Sequence, residues 1–357
     1  MTRTILVAGT KESTGKTAIA LALGVLARER DASVGYMKPK GTRLQSRVGK
    51  VLDADPLLAQ ELLGIEADLA DLEPVVYSPT FIEEALRGRE DPEEIEEVVR
   101  RRFEELSADR DLMIVEGAGT LDTGAIVELT DLDVAELVDA EVVLVVPYEV
   151  PGDTDVVLGA AERIGDRLAG VIFNAVPDAG YDALSELVAP FLEGRGISVL
   201  GVLPRDRDLA GVTVQELADS LGATVLTDAP TDAYVERFLV GAMTGERALR
   251  HFRRTRDAAV ITGGDRADVQ SVALEAPGVR CLVLTGGLRP SNAILGTAEK
   301  RGVPVLVVDA ETLTTIERAE NVIRSGRTRD ERTVERMREL LSEHADVDSL
   351  IAIERDD

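Results

Sequence analysis

The sequence predicts an α/β protein: a parallel β-sheet with helices on both faces, followed by a second, smaller α/β domain. Apolar segments of strand length alternate with helical patterns along the chain, as at 141–150 (EVVLVVPYEV). Such segments are apolar without interruption, which is typical of strands buried on both faces. The pattern changes after Leu209, and we expect domains at 1–212 and 213–357.

Composition excludes several classes of protein. The formal net charge is −26, so the surface repels nucleic acid and anionic membranes, and we expect neither as a partner. The single cysteine, Cys281, allows no intramolecular disulfide and, with the absence of a leader-like apolar run at the N-terminus, favours a cytoplasmic protein. The acid-rich, lysine-poor composition is typical of proteins that work in high salt, where screening weakens self-repulsion.

Lysine is concentrated at the start of the chain. Of the 40 basic residues only six are lysines, and five of these lie in the first fifty residues: Lys11, Lys16, Lys38, Lys40 and Lys50. The lysine ammonium is a compact charge on a flexible stem, which suits contact with phosphate oxygens. The cluster indicates a phosphate site, with chance clustering on a surface as the alternative.

The segment GTKESTGKT, which begins at Gly9, is the strongest functional signal. It lies between an apolar strand at 4–8 and a helical run at 18–27, where free N–H groups and the helix dipole favour an anion. Lys16 would reach the β- and γ-phosphates of a nucleotide, and Thr17 would offer its hydroxyl to Mg²⁺. A plain glycine-rich turn is the alternative. The predicted phosphate contacts are Thr10, Lys11, Glu12, Ser13, Thr14, Gly15, Lys16 and Thr17.

Five residues separate Gly9 from Gly15, one more than in the standard phosphate-binding loop (P-loop). With this spacing the loop resembles that of the dethiobiotin synthetases, whose class also includes the MinD-type ATPases and the cobyrinic acid amidating synthetases. The resemblance implies a P-loop NTPase-type sheet that binds ATP and Mg²⁺, and we expect a homodimer. Lys11 stands where MinD-type ATPases carry a lysine that reaches the partner's nucleotide. That role in trans, contact with the chain's own phosphates, and plain solvation all stay open.

A second segment, GYMKPKGT at 35–42, resembles the Lys-Pro segment of the dethiobiotin synthetases. The resemblance implies that Lys38 helps to hold the phosphates and the substrate, so that Lys16 and Lys38 are the predicted catalytic residues. Lys40 departs from the family pattern because it replaces an apolar residue. The Ser-Gly pair expected next is also missing, which puts the substrate side in doubt.

Two acidic positions complete the predicted magnesium site with Thr17. The segment LMIVEGAGT resembles the family's Glu-Gly-Ala-Gly motif, and its Glu116 ends an apolar strand at the sheet edge where ligands bind. The segment DADPLLAQELLG resembles the family's acidic helix start, which implies that Asp55 faces the metal, with Asp53 as a near alternative. A helix-capping role for these aspartates is the plainer interpretation.

Two later segments imply contacts with the base. In LAGVIFNAVP, Asn174 matches the asparagine that reads the purine in this group, and an amide can pair with a purine edge. Asn174 could instead shape the turn before Pro177. VLGVLPRDRDLA resembles the last strand and the loop near the base, which implies a contact from Pro204. The resemblance covers roughly residues 1–210.

The second domain contains two similar blocks, at 257–276 and 280–302. Each is an apolar strand followed by Thr-Gly-Gly and a helical pattern, and together they resemble the DRTGG domain. The two turns could hold a small anionic ligand at helix N-termini, or they could be close-packing turns without a ligand.

The tail at 330–346 is amphipathic, and we expect it to pack on the second domain or on a dimer partner. Its apolar face carries Val334, Met337, Leu340 and Leu341.

Three functions remain open. The combination of modules resembles the front part of long phosphate acetyltransferases, and because the sequence ends at Asp357 no acyltransferase part is expected. This favours an ATP-binding regulatory or accessory protein of central carbon metabolism. The second function is an ATP-dependent ligase that activates a carboxyl or carbamate group by phosphoryl transfer, for ring closure or amide formation. The third, favoured by Lys11 alone, is a MinD-like ATP-dependent dimeric switch. Beside the nucleotide, the expected partner is a small carboxylate or acyl phosphate metabolite.

Overall fold

A computed structural model of the chain describes residues 2–42, 44–47, 50–53, 55–241, 245–326 and 330–352. The chain folds into two compact units. The first contains residues 1–206 together with 328–357, and the second contains residues 207–327.

The first unit begins with alternating strands and helices. In chain order these are β1 (Arg3–Gly9), α1 (Lys16–Arg28), β2 (Val34–Met37), β3 (Lys40–Gly41), β4 (Leu44–Arg47), β5 (Lys50–Asp53), α2 (Asp55–Leu63), α3 (Leu69–Leu72), β6 (Val75–Val76), α4 (Pro79–Leu86), α5 (Pro92–Ser107), β7 (Leu112–Glu116), α6 (Asp131–Leu137), β8 (Glu141–Pro147), α7 (Thr154–Ile164), β9 (Leu168–Val176), α8 (Asp178–Ala183), α9 (Ala189–Glu193) and β10 (Val199–Pro204). Short 3₁₀ segments lie at Ala125–Val127, Pro151–Asp153 and Gly165–Arg167, and a π-helical segment at Leu184–Val188.

The main sheet of this unit has six parallel strands in the order β10-β9-β8-β1-β7-β2. The apolar side chains of α5, α6 and α7 pack on one face. Helix α1 lies on the other face, against β1, β2 and β7, with α2 beside it. The predicted parallel sheet with helices on both faces is confirmed. Because β1 lies between β7 and β8, the loops that follow these strands meet at one edge of the sheet.

The second unit is a smaller α/β domain, as predicted. Its elements are α10 (Arg207–Ala210), β11 (Val212–Thr213), α11 (Val214–Leu221), β12 (Thr224–Val225), β13 (Tyr234–Val235), β14 (Arg237–Val240), α12 (Gly245–Phe252), β15 (Ala258–Gly263), α13 (Ala267–Glu275), β16 (Val279–Thr285), α14 (Asn292–Arg301), β17 (Val305–Val307) and α15 (Thr312–Gly326). Its five-stranded sheet has the order β12-β17-β16-β15-β14, parallel except for β12. Helices α12, α13 and α14 cover one face, and α11 and α15 cover the other.

The tail does not pack where we expected. Helices α16 (Glu331–His344) and α17 (Val347–Leu350) belong to the first unit, and α16 packs along α1 and β10. Beyond α16, Ala345 forms an antiparallel bridge with Gly201, and the Asp346 N–H donates to Leu200 O at 2.7 Å. The predicted apolar face is buried as a whole, at Val334, Met337, Leu340 and Leu341.

The composition of α1 explains this placement. All but two of its thirteen residues are buried, so the sheet alone cannot cover it. A helix that is apolar on nearly every side needs a second layer, and α16 supplies part of that layer. The chain therefore leaves the first unit after β10 and returns to it to cover the helix that follows the glycine-rich loop. Across the described ranges, no helix is long and apolar enough to cross a membrane.

Removing apolar contact between α16 and the rest of the first unit should destabilise that unit. Leu341 is fully buried, and we expect Leu341→Ala to cost about 2–5 kcal/mol and to speed hydrogen exchange in α1. The matched control is Leu187→Ala, because Leu187 is 64% exposed in the same unit. Equal urea unfolding curves for the two variants would show that α16 does not support α1.

Candidate nucleotide-binding site

The glycine-rich loop connects β1 to α1 at the carboxyl edge of the sheet. Gly15 has φ of 91° and precedes the first residue of α1, a conformation that favours glycine. A Cβ at this position would also clash with the side-chain amide of Asn174. No described side chain caps the start of α1, so its first N–H groups remain suited to an anion.

The polar atoms of the loop fit a phosphate group. The hydroxyl oxygens of Thr10 and Thr14 are buried, and neither has a hydrogen-bond partner among the described residues. A buried hydroxyl without a partner is costly, so these two groups fit a ligand that brings oxygen acceptors. Lys11 and Glu12 are exposed at the rim of the loop.

Lys16 lies across this loop. Its side chain is buried, and its ammonium donates to Gly119 O at 2.6 Å and to Lys11 O at 3.4 Å. Gly119 belongs to the segment that follows β7. The ammonium is therefore held between the glycine-rich loop and the loop that follows the neighbouring strand β7.

The three predicted metal ligands come together behind the loop. The Thr17 hydroxyl lies 2.6 Å from Glu116 Oε1 and 3.2 Å from Asp55 Oδ2. All three side chains are at most 4% exposed. A hydroxyl and two carboxylates are hard oxygen ligands of the kind that Mg²⁺ prefers, and this ion usually takes only one or two carboxylates beside water and phosphate. The residues therefore fit the predicted ion. The side chain of Asp53, the near alternative, lies outside the described residues.

Lys38 joins the same cluster. Its ammonium forms ion pairs with Asp55 Oδ2 and, at 3.4 Å, with Glu116 Oε1. The other oxygen of Glu116 accepts a hydrogen bond from the Tyr36 hydroxyl at 2.6 Å. Lys38 is 2% exposed, so its charge acts on the carboxylates with little screening by water.

Burial dominates the titration of Glu116. It raises the pKa of Glu116 above its ordinary value, while the Lys38 ammonium lowers that pKa and the Asp55 charge raises it further. Hydrogen bonds from Thr17 and Tyr36 favour the charged form. A cation at this position would relieve the repulsion between the two carboxylates.

Within the described ranges, no group of three or more His, Cys, Asp or Glu side chains is gathered for a metal.

The predicted base contacts lie along the same sheet edge. The Asn174 amide donates to Thr14 O at 2.8 Å, so the side chain supports the glycine-rich loop directly. Pro204 ends β10 in register with Val176, two residues beyond Asn174 on β9. Reading of the base by Asn174 and Pro204 stays a prediction, and so does action of Lys11 in trans.

Sequence reasoning missed three polar residues of this region. Tyr36 lies on β2, two residues before Lys38, and its place in an aromatic-poor chain was an available signal. Lys40 was counted in the lysine cluster and noted as a departure from the family pattern, but its pairing with Asp131 was not predicted. Its ammonium lies 3.2 Å from Asp131 Oδ1, and both residues are at most 1% exposed. Nothing in the sequence pairs these two residues, which are 91 positions apart.

This buried pair has its own electrostatics. Burial lowers the pKa of the Lys40 ammonium, and the nearby Asp131 charge opposes that shift. Burial raises the pKa of the Asp131 carboxyl, and the charges of Lys40 and Lys16 oppose that shift. Each partner therefore favours the ionised form of the other.

Comparison with known proteins agrees with the fold and the loop. Residues 3–213 match the AAA_26 family model, which describes an AAA domain. The chain belongs to the AAA_26 family. In this AAA_26 protein, residues 216–322 also match the model of the DRTGG domain. The resemblance to a P-loop module followed by a DRTGG domain is thereby confirmed.

Curated relatives include phosphate acetyltransferases, cobyric acid synthases and a dethiobiotin synthetase. The phosphate acetyltransferase of Pseudomonas putida is 25% identical over 366 residues, covering 96% of the AAA_26 chain and 51% of that enzyme. The chain thus spans about half the length of the phosphate acetyltransferases it matches. The ATP-dependent dethiobiotin synthetase of Frankia casuarinae is 31% identical over 235 residues, covering 62% of the chain and 94% of that protein.

Among solved structures, the septum site-determining protein MinD of Pyrococcus horikoshii is 20% identical. The match covers 58% of the chain and 84% of the MinD chain, with a TM-score of 0.34.

The role of Glu116 as a metal ligand can be separated from a role in nucleotide binding. We expect Glu116→Gln to weaken ATP binding in Mg²⁺ by about tenfold or more, because the amide brings no negative charge. ATP affinity in EDTA should change by less than about twofold. Calorimetric titration measures both, and Glu162→Gln on the exposed surface of α7 is the control. Equal losses with and without Mg²⁺ would count against the metal assignment.

Proposed function

We propose that the first unit binds ATP with Mg²⁺ and that the protein has an accessory or sensing role beside phosphate acetyl transfer in central carbon metabolism. The observation that carries nucleotide binding is the buried cluster of Thr17, Asp55, Glu116 and Lys38 behind the glycine-rich loop. Such a cluster is costly to bury, and it lies where a P-loop protein holds its nucleotide and metal ion.

Each group in the loop has a use in this proposal. The N–H groups at the start of α1 and the hydroxyls of Thr10 and Thr14 donate to phosphate oxygens, and Lys16 neutralises part of the phosphate charge. Thr17, Asp55 and Glu116 would hold Mg²⁺, which would neutralise part of the phosphate charge. Lys11, exposed at the rim, would add a cation from the chain itself or across a homodimer.

The accessory role rests on the order of the modules. The phosphate acetyltransferase relatives match 96% and 98% of the chain, so the two units occur in them in the same order. This supports a sensing role for the pair of units, in which the nucleotide state of the first unit and a small acyl phosphate or carboxylate report on acetyl metabolism.

A second candidate is an ATP-dependent ligase, and the position of Lys38 favours it. Lys38 is buried against Asp55 and Glu116, and Lys16 directly precedes Thr17, whose hydroxyl contacts the same two carboxylates. Two ammonium groups there could stabilise the negative charge that grows on a phosphoryl group as it passes to a carboxylate oxygen. The dethiobiotin synthetase relative supports this chemistry, and the departure at Lys40 argues for a different acid.

Nucleotide binding depends on Lys16 in either case. A hydrogen bond to a charged group contributes about 1.5–3 kcal/mol, so Lys16→Ala should weaken ATP binding by about tenfold to a hundredfold or more. Calorimetry gives the affinity, and unfolding by urea checks that the variant is folded. Lys300→Ala is the matched control, because Lys300 is exposed on α14 of the second unit. An unchanged ATP affinity in Lys16→Ala would refute the assignment of the loop.

Turnover separates the accessory protein from the ligase. The accessory proposal predicts ATP binding with negligible steady-state phosphate release, whether or not small carboxylates are present. The ligase predicts release that depends on one carboxylate and falls in Lys38→Met while ATP still binds. A coupled phosphate assay with a panel of two- to eight-carbon acids makes the distinction. Acid-dependent turnover would overturn the accessory role.

A further inference from the structure

The buried pair of Lys40 and Asp131 lies beside the proposed nucleotide site but contributes no predicted ligand to it. The Lys40 ammonium lies 3.2 Å from Asp131 Oδ1 and also donates to Leu129 O. Both side chains are at most 1% exposed. A lysine and an aspartate so deeply buried need partners, and here each is the other's partner.

The Lys40 side of the pair is tied to Lys38. Only Pro39 separates the two lysines, and a proline restricts the backbone on both sides. The Lys38 N–H donates to Leu72 O at 2.7 Å, and Pro39 O accepts from the Val75 N–H at 3.2 Å. Lys40 is therefore part of the rigid segment that presents Lys38 to Asp55 and Glu116.

The Asp131 side is tied to Glu116 and Lys16. Asp131 is the first residue of α6, and its Oδ1 accepts the Ala118 N–H at 3.2 Å. Ala118 lies two residues after Glu116. The carbonyl oxygen of the next residue, Gly119, accepts a hydrogen bond from the Lys16 ammonium at 2.6 Å. The chain has glycine at 117, where any Cβ would clash with Asp131 Oδ2. The backbone after β7 thus fits closely around this carboxylate.

Stability alone is a weak reason for such a pair. Well-packed apolar side chains of similar volume often replace a buried ion pair without loss of stability, or with a gain. An apolar pair could not replace two contacts. One is the hydrogen bond from the Ala118 N–H to Asp131, and the other is the directional contact between the Lys38 segment and the loop after Glu116.

We propose that Lys40 and Asp131 are positioning residues, which fix the loop after β7 against the Lys38 segment so that Lys16 and Lys38 converge on the terminal phosphate of the nucleotide. The inference rests on the proposed ATP binding. It deepens that proposal because it predicts a preference for ATP over ADP and assigns this preference to a pair that contributes no ligand to the nucleotide or the metal ion. Loss of the pair should therefore reduce affinity for ATP more than affinity for ADP.

The test is a double-mutant cycle with Lys40→Met, Asp131→Leu and the double variant. Urea unfolding measures stability, and calorimetry in Mg²⁺ measures the dissociation constants of ATP and ADP. Each single variant should lose stability because it leaves an unpaired buried charge or an unpaired acceptor. The double variant should recover much of that stability, while its ratio of ADP to ATP dissociation constants falls at least about tenfold. Lys300→Met, at an exposed lysine, should change neither quantity.

The outcomes separate this inference from the proposed function. If the native chain binds neither nucleotide, the proposed function fails. If it binds ATP and the folded double variant keeps the native ATP-to-ADP preference, only the positioning role fails. If the double variant does not fold, Lys40→Arg decides the matter, because arginine keeps the charge but has a forked, bulkier head group. A lower preference for ATP in that folded variant supports the inference, and a native preference overturns it.

Discussion

The contact between the Thr17 hydroxyl and Glu116 joins the first turn of α1 to the end of β7, and the rest of the site depends on it. Through this contact the glycine-rich loop is fixed against the tip of the neighbouring strand. Asp55 and Lys38 are then held by charge around the same two side chains. Because the strands are parallel and β1 lies between β7 and β8, their loops have only one edge at which to meet.

Charge balance is the second constraint. The described interior at this edge contains the ammonium groups of Lys16, Lys38 and Lys40 beside the carboxylates of Asp55, Glu116 and Asp131, all of them buried. Each charge is tolerable only while its neighbours keep their positions, since an isolated buried charge costs several kcal/mol. Although the net charge of the chain is −26, three of its six lysines, Lys16, Lys38 and Lys40, are buried at this edge.

The sequence predicted most of what depends on local pattern and little of what depends on distant pairing. Continuous apolar strands such as 141–150 and the Gly-Lys-Thr before α1 are local signals, and the sheet and loop followed from them. The tail was amphipathic as predicted, but its partner is α1, some three hundred residues earlier, and an apolar face does not specify what covers it. The pairing of Asp131 could not be predicted for the same reason. In sequence Asp131 looks like an acidic residue in the first turn of a helix, and only the fold brings Lys40 and the Ala118 N–H to it.

We propose above all that the first unit holds a purine triphosphate and a magnesium ion at the start of α1. The most direct measurement is the melting temperature of the full chain with ATP or GTP, with Mg²⁺ or EDTA, in low and in high KCl. Nucleotide at a hundred times its dissociation constant should stabilise the native state by about 2.7 kcal/mol, so the account predicts a clear rise with ATP that is larger in Mg²⁺ than in EDTA. An unchanged melting temperature with millimolar ATP and GTP at both salt concentrations would contradict it.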